Sequence, residues 1–378
     1  MRFRYRTFAI MLLFLIVLGF PANALAYPEI ASKAAVLMDA DSGRVLYEKN
    51  EHSSLPQAST TKITTAILAL ENGNLQDEIT VSKYAAETGG SAIWLETGEI
   101  LTLEQLIYAM LLPSANDAAA AVAEHIAGSE TEFVKMMNAF ARQVGALDTH
   151  YANPHGLPAD GHYSSAYDLA LIARYAMKNP QFAKIVATEK KTIPWAGHEW
   201  SRLLVNHNKF ITNPELYPGV DGVKNGYTKE AGYCLVASAK RNGMRLIAVV
   251  LNSPDPSTEV MQLFDYGFEN FDRTLLLSGG ETVKTISLKN NQQLSLVAAE
   301  PFYAALGLKE AGRVIVNVNV PQDVSLPVKK GEVYGKAVYE VDGQVIGMVN
   351  LLAARDVEKD TWLSFVWRMF VDAITKFS

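Results

Sequence analysis

The chain has 378 residues, a formal net charge of −6 at pH 7, 49% hydrophobic residues and a single cysteine. This length is sufficient for two domains, and one cysteine excludes an intrachain disulfide, so the fold depends on burial of a hydrophobic core. The mildly acidic balance gives no reason to expect a nucleic acid as partner.

The N-terminus has the parts of a secretory signal peptide. Three arginines among the first residues precede an unbroken apolar run at 8–20, and a small-x-small pattern follows it. This order predicts a signal peptide over residues 1–26, with the mature chain beginning at Tyr27. Removal of the three arginines, with no acidic residue lost, takes the formal charge from −6 to −9. An uncleaved anchor is the alternative, which so short an apolar run disfavours.

Residues 27–272 mix strand-like and helix-like segments. Two hairpin signals stand near the ends of this region, one at Gly43 and the other at Asn242-Gly243, and each is flanked by apolar runs. Between them, the spacing of apolar residues predicts helices over 59–71, 103–112, 117–127, 130–144 and 166–177. Strands at both ends of a region that encloses helices predict an α+β domain with an antiparallel sheet flanked by helices.

Ser59 begins the first of these helical segments, and Lys62 follows three residues later. Residues at i and i+3 share one side of a helix, so the lysine amine is within hydrogen-bond reach of the serine hydroxyl. A serine becomes nucleophilic when a neighbouring base takes its proton, and Lys62 can be that base only as a neutral amine. Burial and a second cation such as Lys224 would both lower its pKa. The alternative for Ser59 is a plain helix N-cap.

The second candidate motif is Ser114-Ala115-Asn116, which follows a proline and precedes an alanine-rich helix. A short loop between two helices can present both polar side chains to a cleft. Ser114 could pass a proton between the nucleophile or its base and a leaving amine, and Asn116 could hydrogen-bond an amide of a peptide substrate. Helix capping by Asn116 or Asp117 is the alternative.

The third candidate motif, Lys224-Asn225-Gly226, is followed by Tyr227, Thr228 and two strand-like runs. It is ambiguous, since Asn-Gly is also a strong hairpin signal. On an edge strand beside a cleft, the Lys224 ammonium could bind a carboxylate and Gly226 would allow a backbone to approach closely. Addition of a substrate peptide to that edge would align it.

Two other chemistries are not favoured. Cys234 lies in an apolar, strand-like run, where a thiol lacks the polar surroundings that make it reactive. The histidines form no His-Glu-x-x-His motif, so no metal site is predicted. No glycine-rich phosphate loop is present, and no cofactor is expected.

The last third of the chain has a different pattern. Residues 273–356 show short strands and turns, including a hairpin signal at Asp342-Gly343, which predicts a small all-β domain. This domain is expected to hold the first one off a membrane, with a protein-binding role equally open. Residues 357–378 are predicted to form an amphipathic helix that attaches to a membrane surface, because aromatic residues gather on its apolar face. The alternative is a terminal helix docked on the protein itself.

Together, the three motifs resemble those of the low-molecular-mass penicillin-binding proteins of the D-alanyl-D-alanine carboxypeptidase family, which are active-site-serine D,D-peptidases. The resemblance covers nearly the whole mature chain, including the small β domain and the terminal helix. It implies a fold shared with serine β-lactamases. It also implies that the protein removes the terminal D-alanine from peptidoglycan pentapeptide stems through an acyl-enzyme, and that β-lactam antibiotics such as penicillin acylate it.

The resemblance also implies a role for each residue of the first two motifs. Ser59 would be acylated, Lys62 and Ser114 would transfer protons, and Asn116 would orient the acyl peptide. Each of these roles agrees with what the residue types can do chemically.

The resemblance assigns recognition of the substrate to the third motif. Lys224 and Thr228 would bind the terminal carboxylate, and the backbone N–H groups of Ser59 and Tyr227 would form the oxyanion hole. Members of the family usually have Lys-Thr-Gly, whereas this chain has Asn225 in place of the threonine. Weaker or altered binding of substrate and penicillin is therefore expected.

The expected location is the outer face of the bacterial cytoplasmic membrane, because the chain is predicted to be exported and anchored peripherally. Two alternative functions remain open. One is a catalytically weak wall-binding protein that holds stem peptides, and the other is a D,D-endopeptidase that uses the same residues on cross-links. A β-lactamase would share the motifs, but the additional C-terminal domain and helix favour a wall enzyme.

Overall fold

The computed structural model describes residues 27–195, 197–288 and 292–359. The predicted signal peptide and residues 360–378 of the predicted anchor helix lie outside these ranges. Within them, no helix combines the length and the apolar character that crossing a lipid bilayer requires.

The first domain is built on an antiparallel sheet, as the sequence predicts. Its strands are β1 (Ala34–Asp39), β2 (Val45–Lys49), β3 (Glu78–Thr80), β4 (Ile100–Thr102), β5 (Lys190–Ile193), β6 (Arg202–Val205), β7 (Val220–Thr228), β8 (Gly232–Arg241) and β9 (Met244–Ser253). Five of them form the main sheet in the order β2-β1-β9-β8-β7, which places β7 at an edge. The pairs β3-β4 and β5-β6 form separate ribbons.

Both hairpins predicted in this domain are confirmed. β1 pairs with β2, and the turn between them contains Gly43 at a φ of 83°. β8 pairs with β9 across Asn242 and Gly243, whose φ angles are 51° and 84°. Two successive positive φ angles are what a type I′ turn requires, and Asn-Gly adopts them at low cost.

Helices cover both faces of the sheet. In chain order they are α1 (Lys62–Asn72), α2 (Lys83–Ala86), α3 (Leu103–Leu111), α4 (Asn116–Ala127), α5 (Glu130–Gln143), α6 (Ala166–Ala176), α7 (Pro180–Val186), α8 (Lys209–Thr212) and α9 (Pro256–Asn270). The five predicted helices correspond to α1, α3, α4, α5 and α6. Helix α9 was not predicted, although Asp255 caps it and Pro256 occupies its first turn.

The two faces of the sheet pack into separate cores, because side chains alternate across a strand. Val36 of β1 packs in one core with Ile67 of α1. Its neighbour Leu37 packs in the other core with Phe264 of α9. With both faces of β1 fully buried, a peptide can reach the backbone of this sheet only at an edge strand.

The second domain is all-β, as predicted. Its strands are β10 (Phe271–Leu277), β11 (Thr282–Ser287), β12 (Gln293–Ala298), β13 (Phe302–Gly307), β14 (Val314–Asn319), β15 (Val333–Val341) and β16 (Gln344–Ala353). β10 pairs with β13, and the other five form a sheet in the order β11-β12-β16-β15-β14. The predicted hairpin is the one between β15 and β16.

The end of this domain lies slightly later than the predicted boundary at 356. Val357 pairs with Val328 through two backbone hydrogen bonds of 2.8 and 2.9 Å, and residues 357–359 are not helical. The backbone pairing of Val357 therefore assigns this residue to the β domain and not to the predicted anchor helix.

Polar contacts join the two domains beside the β1-β2 turn. Arg44 donates to both carboxylate oxygens of Glu310, at 2.6 and 2.7 Å, and to the carbonyl oxygen of Ala305. The backbone N–H of Ala305 donates to Asp39 at 3.1 Å. A bidentate guanidinium–carboxylate pair fixes geometry as well as distance, so these contacts orient one domain on the other.

Candidate active site

Ser59 lies in a short 3₁₀ turn, Ala58–Thr61, that precedes α1. The helix therefore begins at Lys62 and not at Ser59 as predicted. The N-cap of α1 is Thr61, so helix capping does not account for Ser59. Ala58 has a φ of 48°, an uncommon value for a residue with a side chain, which marks the turn before the serine as strained.

The serine lines a cleft of about 540 Å³ that also contains residues of the other two motifs. Ser114 contributes from the helical side, and Asn225, Gly226 and Tyr227 contribute from the sheet edge. The remaining wall comes from nearby loops, from β8 and from the start of α9: Ser91, His207, Asn208, Lys209, Tyr233, Cys234, Leu235, Pro254, Asp255, Pro256 and Ser257.

The amine of Lys62 is completely enclosed and has three partners. Its Nζ lies 3.0 Å from Ser59 Oγ, 2.6 Å from Asn116 Oδ1 and 2.6 Å from the carbonyl oxygen of His155. The amide of Asn116 is fixed in this orientation because its Nδ2 donates to the carbonyl oxygen of Gly89 at 2.7 Å. The oxygens of Asn116 and His155 can only accept hydrogen bonds, whereas the hydroxyl of Ser59 can also donate one. This set matches a neutral amine, which has two N–H donors and one lone pair.

The electrostatics of the site favour that neutral form. Burial lowers the pKa of Lys62 well below its usual value, and the positive charge of Lys224 lowers it further, while Asp117 acts in the opposite direction. Desolvation has the largest effect because the Lys62 side chain has no exposure to solvent.

Ser114 and Asn116 occupy the loop and first turn at the start of α4. Ser114 has a φ of 66° and is almost completely buried. The N-cap of α4 is Ala115, and the Asn116 side chain contacts Lys62, so capping does not explain this motif either. Within the described residues the Ser114 hydroxyl makes no hydrogen bond, which leaves it available to a ligand in the cleft.

Lys224 lies on β7 with its side chain buried. Its Nζ is 3.0 Å from the carbonyl oxygen of Asn225 and 3.2 Å from Asn225 Oδ1, and the amide nitrogen of Asn225 donates to the carbonyl oxygen of His207 at 3.4 Å. Burial lowers the pKa of Lys224 to about 7. The residue that replaces the usual threonine therefore contacts the ammonium directly.

Gly226 allows the sheet edge to reach the nucleophile. A methyl carbon at this position would lie 2.7 Å from the backbone nitrogen of Ser59 and 3.0 Å from Cβ of Ala58. No other residue fits without a shift of the backbone. The close approach brings the backbone of Ser59 beside Gly226, the residue that precedes Tyr227, so the two N–H groups expected to bind an oxyanion belong to adjoining segments.

Thr228 and Lys224 are not among the described residues that line the catalytic cleft, whereas Asn225, Gly226 and Tyr227 between them are. Thr228 shares the Gly226 face of β7 but lies two residues beyond the contact with Ser59. There it borders a neighbouring cleft with Gly156, and its hydroxyl accepts a hydrogen bond from the N–H of Ala231 at 3.0 Å. A hydroxyl that accepts in this way can still donate, so the contact between Thr228 and a terminal carboxylate stays a prediction.

Two residues that the sequence analysis considered only for other roles belong to the site. Asp117 is fully buried, and its carboxylate accepts hydrogen bonds from the N–H groups of Ile93 and Leu95, each at 3.1 Å. His155 supplies a carbonyl oxygen to Lys62, while burial lowers the pKa of its ring to about 3. Because this contact uses a backbone carbonyl group, which every residue has, the residue type of His155 could not predict its place in the site.

Cys234 lies on β8 with its thiol buried. Burial raises the pKa of this thiol to about 11, and its Sγ faces backbone carbonyl groups, the closest at 3.8 Å. A thiol with a raised pKa is a poor nucleophile at neutral pH, as the sequence predicted.

Comparisons with known proteins agree with this arrangement. A family profile described as D-alanyl-D-alanine carboxypeptidase matches residues 21–255, and a profile described as the C-terminal domain of penicillin-binding protein 5 matches residues 271–359. The D-alanyl-D-alanine carboxypeptidase DacF of Bacillus subtilis is 38% identical over 352 residues, which are 90% of each chain. DacC of Escherichia coli is 30% identical over 90% of this chain and 88% of its own.

Solved structures give the same result. The structure of penicillin-binding protein 5 from Haemophilus influenzae matches with a TM-score of 0.74 and 29% identity, over 89% of this chain and all of that one. The profile that matches residues 21–255 spans more than half of the sequence. The chain therefore belongs to the D-alanyl-D-alanine carboxypeptidase family and is a serine-type, penicillin-binding hydrolase of that family.

Proposed function

We propose that this protein removes the terminal D-alanine from the pentapeptide stems of peptidoglycan through an acyl-enzyme on Ser59. The observation that carries the proposal is the set of three contacts around Lys62, which hold its amine 3.0 Å from Ser59 Oγ, where the neutral form can take the hydroxyl proton. Family membership supplies the class of reaction, and the cleft holds a nucleophile, a base and a sheet edge side by side.

In the first step, Ser59 Oγ attacks the carbonyl carbon of the penultimate D-alanine while Lys62 takes the hydroxyl proton. The negative charge that develops on the carbonyl oxygen is stabilised by the N–H groups of Ser59 and Tyr227. The C–N bond then breaks, and D-alanine leaves with a proton that reaches its amine through Ser114. Ser59 remains esterified to the shortened stem.

In the second step, a water molecule gives a proton to Lys62 and adds to the ester carbon. The C–O bond to Ser59 breaks, the serine regains a proton, and the tetrapeptide stem leaves as a carboxylic acid. Lys62 serves as base in both steps and returns to its neutral form, which its buried position favours.

Recognition of the peptide is assigned to the sheet edge. An extended stem can add to β7, the edge strand of the main sheet, with Asn116 hydrogen-bonding the acyl part and Lys224 attracting the terminal carboxylate. Asn225 and Gly226 complete this wall of the cleft, and the hydroxyl of Thr228, which can still donate a hydrogen bond, would contact the terminal carboxylate together with Lys224. A β-lactam would react at Ser59 in the same way.

The location is inferred from the sequence. The pattern of residues 1–26 supports export, and the pattern of residues 357–378 supports peripheral attachment at the outer face of the cytoplasmic membrane, with Val357 itself paired in the β domain. In this arrangement, the catalytic domain ends with α9 at Asn270, and the β domain, from Phe271 to Val357, separates it from the membrane.

The direct test is release of D-alanine from bis-acetylated Lys-D-Ala-D-Ala by the purified mature protein, with Ser59→Ala measured in parallel. We expect release by the wild type and none by the variant. A wild type that reacts with penicillin but releases no D-alanine would contradict the proposal. Cleavage of cross-linked muropeptides by that protein would then identify an endopeptidase, and no cleavage would identify a wall-binding protein.

A further inference from the structure

An exposed aromatic patch lies on the loop that follows Ser91 of the catalytic cleft and on a second loop that contacts it. We define it as Trp94, His198 and Trp200. The two indoles are 74% and 62% exposed, although large apolar side chains in this domain are mostly buried. The ring of His198 lies 6.0 Å from the ring of Trp200, and its Nε2 lies 3.0 Å from a carboxylate oxygen of Glu96, two residues after Trp94. Exposed aromatic residues that cluster in this way mark interaction sites.

Buried contacts hold the patch in place. Arg202 donates to the carbonyl oxygen of Trp94 at 2.9 Å, and its guanidinium lies 4.4 Å from the ring centre of Trp195. The ring of Trp195 lies 4.3 Å from that of His198. Arg202 itself is buried in an ion pair with Glu99. The loop that carries Trp94 and the loop that carries His198 are therefore joined through one arginine.

The backbone at Trp94 is strained, with a φ of 58°. A bulky residue rarely adopts this conformation, and such strain persists only where the surroundings impose it and is concentrated at functional sites. Here the N–H groups on both sides of Trp94, those of Ile93 and Leu95, are held by the carboxylate of Asp117. The fold thus fixes an exposed indole in a conformation that a glycine would adopt more easily.

The same loop reaches the catalytic residues. The carbonyl oxygens of Gly89 and Ser91 accept hydrogen bonds from Asn116, at 2.7 and 2.6 Å, and Ser91 lines the catalytic cleft. Trp94 follows Ser91 by three residues, so their Cα atoms are separated by at most about 11 Å. A polymer bound in the cleft through a side branch would have its main chain within reach of this patch.

We propose that the aromatic patch binds the glycan strand to which the stem peptide is attached. This inference rests on the function proposed above and extends it to the sugar part of the substrate. Pyranose rings present an apolar face with polar groups at the edge, which suits stacking on Trp94 and Trp200 with Glu96 as a hydrogen-bond acceptor. The acidic residues Glu96 and Glu199 make the patch unsuitable for an anionic lipid surface, where lysine and arginine are favoured.

The test compares two substrates: uncross-linked glycan strands that carry pentapeptides, and the free bis-acetylated tripeptide. The variants are Trp200→Ala and Trp94→Gly, the second chosen because glycine accepts the positive φ and so preserves the fold. We expect each variant to lower the ratio of kcat/KM on glycan-linked to free substrate by about fivefold to tenfold, as loss of an aromatic contact would. Leu147→Ala, an equally exposed apolar residue of the same domain, is the control and should leave the ratio unchanged.

A second measurement separates this inference from the proposed function. Glycan strands without stem peptides are titrated into the protein by calorimetry, which requires no turnover. Binding by the wild type that is lost in Trp94→Gly supports the patch even if no D-alanine is released. An unchanged kinetic ratio in both variants, or no binding by the wild type, overturns the proposal. So does a loss of binding to anionic vesicles in the variants with no loss of glycan binding.

Discussion

The contact between Gly226 and the nucleophile turn leads to a quantitative prediction for Gly226→Ala. The added methyl carbon would lie 2.7 Å from the nitrogen of Ser59 and 3.3 Å from that of Thr60, where ordinary contact begins at 3.4 Å. These two obstacles are backbone atoms, and the third, Cβ of Ala58 at 3.0 Å, is bonded directly to the backbone, so the sheet edge and the turn must separate by about 0.7 Å. Because a misplacement of about 1 Å costs on the order of 100-fold in rate, we expect acylation by penicillin to slow by nearly that factor.

The assay is the second-order rate constant for acylation by a fluorescent penicillin, measured with D-alanine release and thermal unfolding. Gly312→Ala is the matched control, because a methyl group there meets no atom within 4 Å. We expect the control to react like the wild type, and Gly226→Ala to stay folded, because Gly226 does not have a positive φ and alanine can keep the strand conformation after a small shift. If Gly226→Ala reacts within about threefold of the wild type, the close approach does not position the nucleophile and the reasoning is refuted.

Three further predictions follow from the same structure. Asn225→Thr removes the amide oxygen that accepts a hydrogen bond from Lys224, and the loss of one such bond should speed acylation by penicillin about fivefold. Unchanged kinetics with penicillin and with peptide would show that Asn225 has no effect. The value of kcat/KM should rise with pH as Lys62, whose pKa is lowered, loses its proton, and should fall near pH 7 as Lys224 loses its own. Lys224→Arg should remove the fall at alkaline pH because arginine stays charged, and persistence of that fall would assign it to another group. Arg44→Ala should lower the free energy of unfolding by about 2 kcal/mol, because it breaks the partly buried ion pair with Glu310. Arg313→Ala, which breaks an exposed ion pair with Asp342, should change it very little, and equal losses of the two variants in urea unfolding would contradict this reasoning. Because the pKa of Glu310 is lowered in the folded protein, the stability that this carboxylate contributes is fully present above its ordinary pKa of 4.5. That stability is lost as the pH falls through the lowered pKa.

The sequence was sufficient to predict those features that depend on neighbouring residues alone. Asn242-Gly243 specified a hairpin because only certain residues accept two positive φ angles, and apolar spacing located α3 and α4 closely. The lowered pKa of Lys62 could also be anticipated, because a base beside a serine must be neutral and a nearby cation favours that state.

Other features depended on long-range packing. The carbonyl oxygen of His155, 93 residues along the chain, completes the surroundings of Lys62. Because every residue has a backbone carbonyl group, the residue type at this position could not predict the contact. The turn at Ala58 replaces the expected first turn of helix, a distinction that spacing alone cannot make. Thr228 borders a second cleft at the end of β7, a position that residue spacing does not indicate.

The amide of Asn116 has a consequence for the chemical ageing of the enzyme. Its oxygen is an uncharged acceptor 2.6 Å from the amine of Lys62. Spontaneous deamidation would convert this side chain to aspartate with almost no change in size, and would place a full negative charge at that distance. A carboxylate so close favours the ammonium form, so the base would be held protonated. An aged molecule would also lose the hydrogen bond that Asn116 donates to the carbonyl oxygen of Gly89, so it would be both inactive and less stable, with a more acidic isoelectric point.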